Sequence, residues 1–324
     1  MPKLDFEGVE KRDEQALAAA KLYYSRELSQ AEVAAEMGVS RPTVAKLLQH
    51  ARERGYVTIE VHDPREVGGH LGQLLLETFS AQGLREVRVV DVARERDEDL
   101  LAELGRMGAA VLSDTVCDGQ SVGVSWGHTM YAVARALEHT PRHGVEIIQL
   151  KGGMSHSSES TNDIETINLF CQAFDAYARP LPLPVIIDNV EAKEIVEKDR
   201  HISHILQLGR DCDVAVFTVG AANPESLPLV LGYLNDKEAA ELSQRAVGDV
   251  CSRFFTAEGK VAMPSIDART VGISLRDLRL RPVRILVAGG RRKAEAIATA
   301  LKMGLATHLV IDAPTARAIL EQVR

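Results

Sequence analysis

The chain has 324 residues, 45% of them hydrophobic and 26% charged, a composition that excludes a disordered or fibrous protein. Lys and Arg number 38 against 46 Asp and Glu, and the net charge of −8 argues against sequence-blind coating of nucleic acid while leaving room for one basic face. The four cysteines, Cys117, Cys171, Cys212 and Cys251, are too widely spaced for a CxxC pair or a metal knuckle and read as thiols of a reducing compartment. No apolar run approaches the roughly 18 residues of a membrane span. The opening MPKLDFEGVEKRDEQ has no apolar leader core, so a soluble, cytoplasmic protein without a membrane partner is expected. The length suggests about two domains, and the pattern changes near residue 63, which divides the chain into 1–62 and 63–324.

The first part reads as short helices. Residues 13–24 (DEQALAAAKLYY) place Ala16, Leu17, Ala20 and Tyr24 on one face. Ser29 with Glu32 forms a capping box for QAEVAAEM, which stops at Gly38. Ser40 caps RPTVAKLLQHARERG, with Pro42 tolerated in the first turn and Gly55 at the end. The spacing is that of a helix-turn-helix: Val33, Met37, Val39, Val44 and Leu47 form a small core, Ala34 leaves room for the helices to cross, and Gly38 makes the turn. The alternating stretch 55–61 (GYVTIEV) reads as a wing strand. Ser40, Arg41, Thr43 and Lys46 open the third helix and are candidate DNA contacts, with Gln49 and Arg52 on later turns. From Ser40 to Tyr56 four cations stand against Glu53 alone, so this helix escapes the acidic total. Arg41 suits a guanine edge, Lys46 and Arg52 suit phosphate, and a solvated helix face is the alternative.

Beyond residue 63, apolar strands alternate with helices, which implies a doubly wound, mostly parallel α/β domain. Strands are expected at 86–91, 121–124, 145–150, 184–188, 213–219, 283–288 and 307–312. Ligands of such sheets bind beyond the carboxyl ends of the strands, so the strand exits carry the chemistry. One exit, Ser125-Trp126-Gly127-His128-Thr129, opens a helix and offers backbone N–H groups and hydroxyls to a phosphate, or is a plain tight turn. A second is Lys151-Gly152-Gly153, where two glycines let a ligand approach, before the polar run MSHSSESTND. A third, 219–223, contains Gly220; a fourth, Ala288-Gly289-Gly290, leads to Lys293, a cation at a helix start that an intervening anion would explain.

Lys151 either condenses with a sugar aldehyde, pairs with phosphate or hydroxyl groups as a plain charge, or has no ligand role. Asp249 sits among apolar neighbours in AVGDVCSRFF and needs a partner, which is either ligand hydroxyls or Arg253. His201 and His204 alone do not make a metal site, and no metal or cofactor is expected. Arg276, Arg279, Arg281 and Arg284 form a basic stripe, either solvated or a subunit contact. Ser-His-Asp, HExxH and dinucleotide motifs are absent.

Taken together, LSQAEVAAEMGVSRPTVAKLLQHARERGYVTIEV, GVSWGHTMY, QLKGGMSHS, LPLPVIIDN, VEKDRHI, AVGDVCSRFF, ARTVGISLRDLRLRPVRILVAGG and HLVIDAPTARAIL resemble the SorC class of sugar-binding transcriptional regulators, and most closely its deoxyribonucleoside regulator branch. The resemblance implies a winged helix-turn-helix at 1–62. It implies at 63–324 an effector and oligomerisation domain similar to phosphosugar isomerases but without catalysis. By position it assigns the phosphate loop to Ser125–Thr129, a second anion contact to Lys293, and the sugar-facing residues to Lys151, Gly220 and Asp249. His128 departs from the threonine of many relatives, which shifts weight to backbone N–H groups and Thr129. The expected partners are operator DNA, a phosphorylated sugar (deoxyribose 5-phosphate foremost) and further copies of the chain as dimer or tetramer. The expected function is repression of a deoxyribonucleoside or sugar catabolic operon, relieved by the sugar. The alternatives are a different sugar phosphate, activation instead of repression, a constitutive DNA-binding protein with a vestigial pocket, or a Lys151-dependent aldolase or phosphosugar isomerase.

Overall fold

In the computed structural model, residues 11–26, 28–57, 64–91, 96–153, 161–222 and 232–323 are described. The wing call at 55–61 falls largely outside them, as do most of MSHSSESTND and Asn223. The chain forms two compact units, Met1–His62 and Asp63–Arg324.

The smaller unit contains α1 (Lys11–Ala20), α2 (Gln30–Met37) and α3 (Arg41–Glu53). The caps are those the sequence predicts. Ser29 and Glu32 complete a reciprocal box, Gly38 turns left-handed at φ 65°, and the Ser40 hydroxyl accepts from the Thr43 N–H. Val33, Val44 and Leu47 are buried with Leu48, Ala51, Ala16, Ala19 and Ala20, while Met37 and Val39 pack at the edge. Tyr24, expected on the buried face, is exposed. After Ala20 the helix widens into a π turn at Lys21–Ser25, which breaks the 3.6-residue phase and brings Tyr23 against the core.

In the larger unit seven strands form one parallel sheet: β1 (Glu86–Val90), β2 (Ser121–Val124), β3 (Glu146–Gln149), β4 (Tyr177–Arg179), β5 (Val214–Phe217), β9 (Val283–Val287) and β10 (His308–Asp312), in the order β1-β10-β9-β5-β2-β3-β4. A separate antiparallel sheet contains β6 (Val219–Ala221), β7 (Gly248–Val250) and β8 (Arg253–Phe255). The apolar runs are near-continuous because both faces of the parallel sheet are covered. Leu286 and Ala288 enter one core with the helix Pro64–Phe79, whereas Ile285 and Val287 enter the other with the helix Asp97–Thr115.

Two strand expectations change. Residues 184–188 make no strand, only isolated bridges at Pro184 and Ile186, the latter opposite Thr270, since Pro180, Pro182 and Pro184 withhold the N–H donors that a ladder needs. The run 213–219 divides at Thr218, and its two pieces join different sheets. The chain builds β2, β3 and β4 outward on one side, then returns to lay β5, β9 and β10 on the other. The topological switch point therefore lies between β2 and β5, and the region beyond their carboxyl ends is where ligands of such sheets bind.

Candidate functional site

At the exit of β3 stands Lys151, 5% exposed. Its backbone is pinned by a bridge to Gly272, and its Nζ lies 3.7 Å from the centroid of the Trp126 ring. Trp126, from the exit of β2, is itself fixed by its indole N–H, which donates to the Gly152 carbonyl at 2.8 Å. The Lys151 Nζ also donates to the Ser252 Oγ at 3.4 Å. Burial pushes the Lys151 amine below the usual lysine range, against the pull of Asp249.

Asp249, on β7, is 4% exposed and accepts the Ser252 N–H at 2.9 Å. Burial pushes its carboxyl up, opposed by Lys151, that N–H and Lys293. Burial likewise lowers the Lys293 amine, against Asp249 and Asp97. Both partners of the Lys151–Asp249 pair are thus drawn toward their neutral forms, the condition under which an amine becomes a nucleophile. Gly220 faces Asp249 across the β6–β7 ladder, and a Cβ on it would lie 2.1 Å from the Asp249 Oδ1.

Arg253 is not the partner of Asp249. Its guanidinium donates to the carbonyls of Asp267, Thr270, Gly272 and Ile273 and pairs with the Asp267 carboxylate at 3.1 Å, so it braces the neighbouring chain. Nor do the glycines after Lys151 leave open space. A Cβ on Gly152 would strike the Leu183 and Pro184 carbonyls, and one on Gly153 the Asp163 carboxylate.

Ser125, Trp126 and Thr129 are buried around Gly127, which precedes the helix His128–Ala136, while His128 is exposed. Two hydroxyls at the switch point, Ser125 Oγ and Thr218 Oγ1, are buried without a hydrogen-bond partner among the described residues. Such groups cost about 1–3 kcal/mol each when left unsatisfied, which a ligand oxygen would offset. Behind the fourth exit, Asp312 accepts the Gly290 N–H at 2.8 Å and caps the final helix through Thr315, which holds the loop before Lys293.

In the smaller unit Arg41 and Lys46 are exposed at the start of α3. Ser40 and Thr43 hydrogen-bond each other at 2.8 Å, so both serve the cap. Gln49 donates to Glu53, and the Arg52 Nε donates to the Leu48 carbonyl of its own helix. From the far side, the buried Asp13 of α1 meets His50 at 2.5 Å and Arg54 at 3.5 Å, tying α3 to α1.

The sugar-binding domain family matches residues 70–321, and the MarR family of helix-turn-helix proteins matches 13–65. The Deoxyribonucleoside regulator of Bacillus subtilis (strain 168) is 46% identical over 314 residues, covering 96% of this chain and 99% of the relative. The chain belongs to the SorC-class family of sugar-binding transcriptional regulators. Among solved SorC-class structures, the full-length Sorbitol Operon Regulator SorC from Klebsiella pneumoniae superposes with a TM-score of 0.70 at 26% identity, covering 96% of this chain and 100% of that one. A DeoR family transcriptional regulator from Listeria monocytogenes gives 0.70 at 30% identity, over 78% of this chain and 99% of that one. These relatives are named regulators, not enzymes. Among the described residues, no helix of this SorC-class chain is long and apolar enough to cross a membrane, and no group of three or more acidic, His or Cys residues is placed to hold a metal.

Sequence reasoning missed Thr218 and Ser252. Thr218 had a signal, a hydroxyl at the break of an apolar run. Ser252 had none, since its contact with Lys151 spans 101 positions.

Proposed function

We propose that this chain is an operator-binding repressor of a deoxyribonucleoside or sugar catabolic operon. A phosphorylated sugar, best matched by deoxyribose 5-phosphate, binds at the switch point and releases it. Lys151 carries this reading: a buried amine of lowered pKa, held on an indole face with a buried carboxylate opposite, is the arrangement that captures an aldehyde as an imine. Deoxyribose 5-phosphate exposes such an aldehyde in its open form, and the 46% identity to a deoxyribonucleoside regulator supports the same sugar.

In this reading Ser125, the N–H groups at Gly127–Thr129 and Lys293 receive the phosphate, and Gly220 and Asp249 face the sugar. α3 enters the major groove, with Arg41 on base edges and Lys46 on phosphate, and a homo-oligomer in the cytoplasm presents paired helices to operator half-sites. The sugar acts by binding one quaternary state more tightly than the other.

Borohydride reduction with deoxyribose 5-phosphate tests the capture. Mass spectrometry should find one reduced sugar phosphate per chain, on Lys151, and none in Lys151→Ala. Fluorescence anisotropy on DNA upstream of the gene, at fixed salt, should show selective release by the same sugar. Sustained turnover of the sugar would instead favour an aldolase, and DNA binding indifferent to every sugar phosphate would refute the effector assignment.

A further inference from the structure

The hairpin between β7 and β8 turns on two residues only, Cys251 at φ 51° and Ser252 at φ 61°. This is the left-handed two-residue loop for which Asn-Gly or Asp-Gly is preferred, because a Cβ there crowds the following carbonyl. Glycine at 252 would keep the backbone contact, since the Asp249 carboxylate accepts the main-chain N–H. What glycine would lose is the Cβ that strains the turn and the hydroxyl oxygen 3.4 Å from the Lys151 Nζ, in a residue fully buried. Strain retained at a buried turn points to function where the strained residue supplies a group that nothing else supplies. Cys251 does not compete for that place: burial pushes its thiol up to about 12, so it stays uncharged beside the amine.

We propose that Ser252 is the positioning residue for Lys151, selecting carbonyl-bearing sugars by orienting the amine that captures them; the inference rests on the imine reading above. The amine has three positions besides its carbon. Among the described residues Ser252 Oγ accepts one N–H and the Trp126 face takes a second, and the third becomes the lone pair once a proton departs. That proton passes to the Asp249 carboxylate. The nitrogen then bonds to the carbonyl carbon, and the proton it sheds moves to the carbonyl oxygen, giving a carbinolamine. Asp249 returns its proton to that hydroxyl, the C–O bond breaks, water leaves and a protonated imine remains. The ammonium and the aldehyde thus become iminium and water, with no redox partner.

The test uses the full-length chain, deoxyribose 5-phosphate and borohydride, with the trapping rate measured against pH in wild type, Ser252→Gly and Ser252→Ala. Ser252→Gly should slow trapping at its pH plateau about tenfold, the scale of one hydrogen bond. Its midpoint should move to lower pH, because the lost oxygen accepted from the charged amine. Its Tm should be no lower than that of wild type, since glycine relieves the turn. Ser252→Ala should show the same kinetic loss with a lower Tm than Ser252→Gly. Wild-type rate and midpoint in Ser252→Gly, or a loss confined to one of the two variants, would overturn the role of Ser252 while sparing the imine. If wild type itself forms no adduct, the imine reading fails, and Ser252's role with it.

Discussion

Gly220→Ala adds one methyl group where the small sheet meets the buried Asp249 carboxyl. The new Cβ would lie 2.1 Å from Asp249 Oδ1, 3.2 Å from Cγ and 3.8 Å from Oδ2. Ordinary C···O contacts begin near 3.3 Å, so the carboxylate must retreat by about 1 Å. It has little freedom to do so: Oδ2 holds the Ser252 N–H at 2.9 Å, and the backbone of Asp249 is locked in register with Gly220. Overpacking together with the weakened charged hydrogen bond should cost about 3 kcal/mol. In a domain of this size that corresponds to a fall of about 8 °C in the Tm of the larger unit, measurable by differential scanning calorimetry. The cause can be isolated by a cycle. In an Asp249→Ala background the obstacle is gone, and Gly220→Ala should then change stability by less than about 0.5 kcal/mol. A Tm within 2 °C of wild type, or equal cost in both backgrounds, would show that the carboxylate does not sit against Gly220.

Thiol chemistry should separate the cysteines. Burial pushes Cys171 up to about 11 and Cys212 and Cys251 up to about 12, while Cys117 is exposed, so iodoacetamide at pH 8 should label native protein once, at Cys117, and all four sites in denaturant. Fast native labelling at Cys251 would contradict its burial. Trp126 is the single tryptophan, so its emission should respond to a sugar phosphate that enters the pocket, and a flat titration would count against its placement. The Asp13 carboxyl is held below its ordinary range chiefly by the hydrogen bond with His50. That interaction stabilises the folded state above the unfolded carboxyl pKa and is lost as pH falls through the depressed one. Asp13→Asn should therefore weaken the helical unit at neutral pH, with the difference from wild type closing below about pH 4; a constant difference across that range, followed by circular dichroism, would refute the role given to the Asp13 carboxylate.

The parallel sheet was legible because strands buried on both faces must be apolar throughout, as β5 is. β4 was not, since Tyr177, Ala178 and Arg179 are all exposed at the sheet edge and carry no pattern. The β7–β8 hairpin was equally silent: its strands are three residues long, and its turn is spelled Cys-Ser without the glycine that marks such turns. In the pocket, Lys151 and Asp249 showed themselves as charges against apolar surroundings. Hydroxyls give no such contrast, and their burial depends on pairings set by tertiary structure. Arg253 stood as one candidate partner of Asp249 because it is four residues on, but it lies opposite Val250 in the hairpin, on the other face from Asp249, and reaches the Asp267–Ile273 carbonyls instead.

The strand order turns at the boundary of β2 and β5, where Val122–Val124 pair with Val214–Val216, and this has a mechanical consequence. On one side β2, β3 and β4 carry Trp126 and Lys151; on the other, the chain following β5 and β9 carries Thr218, Asp249, Ser252 and Lys293. Because these two strands are hydrogen-bonded, the groups on both sides are held by one continuous sheet, so an occupant touching both would meet a preformed frame. Such a frame sets the spacing of the groups before anything binds, so little of an occupant's binding energy would go into ordering them.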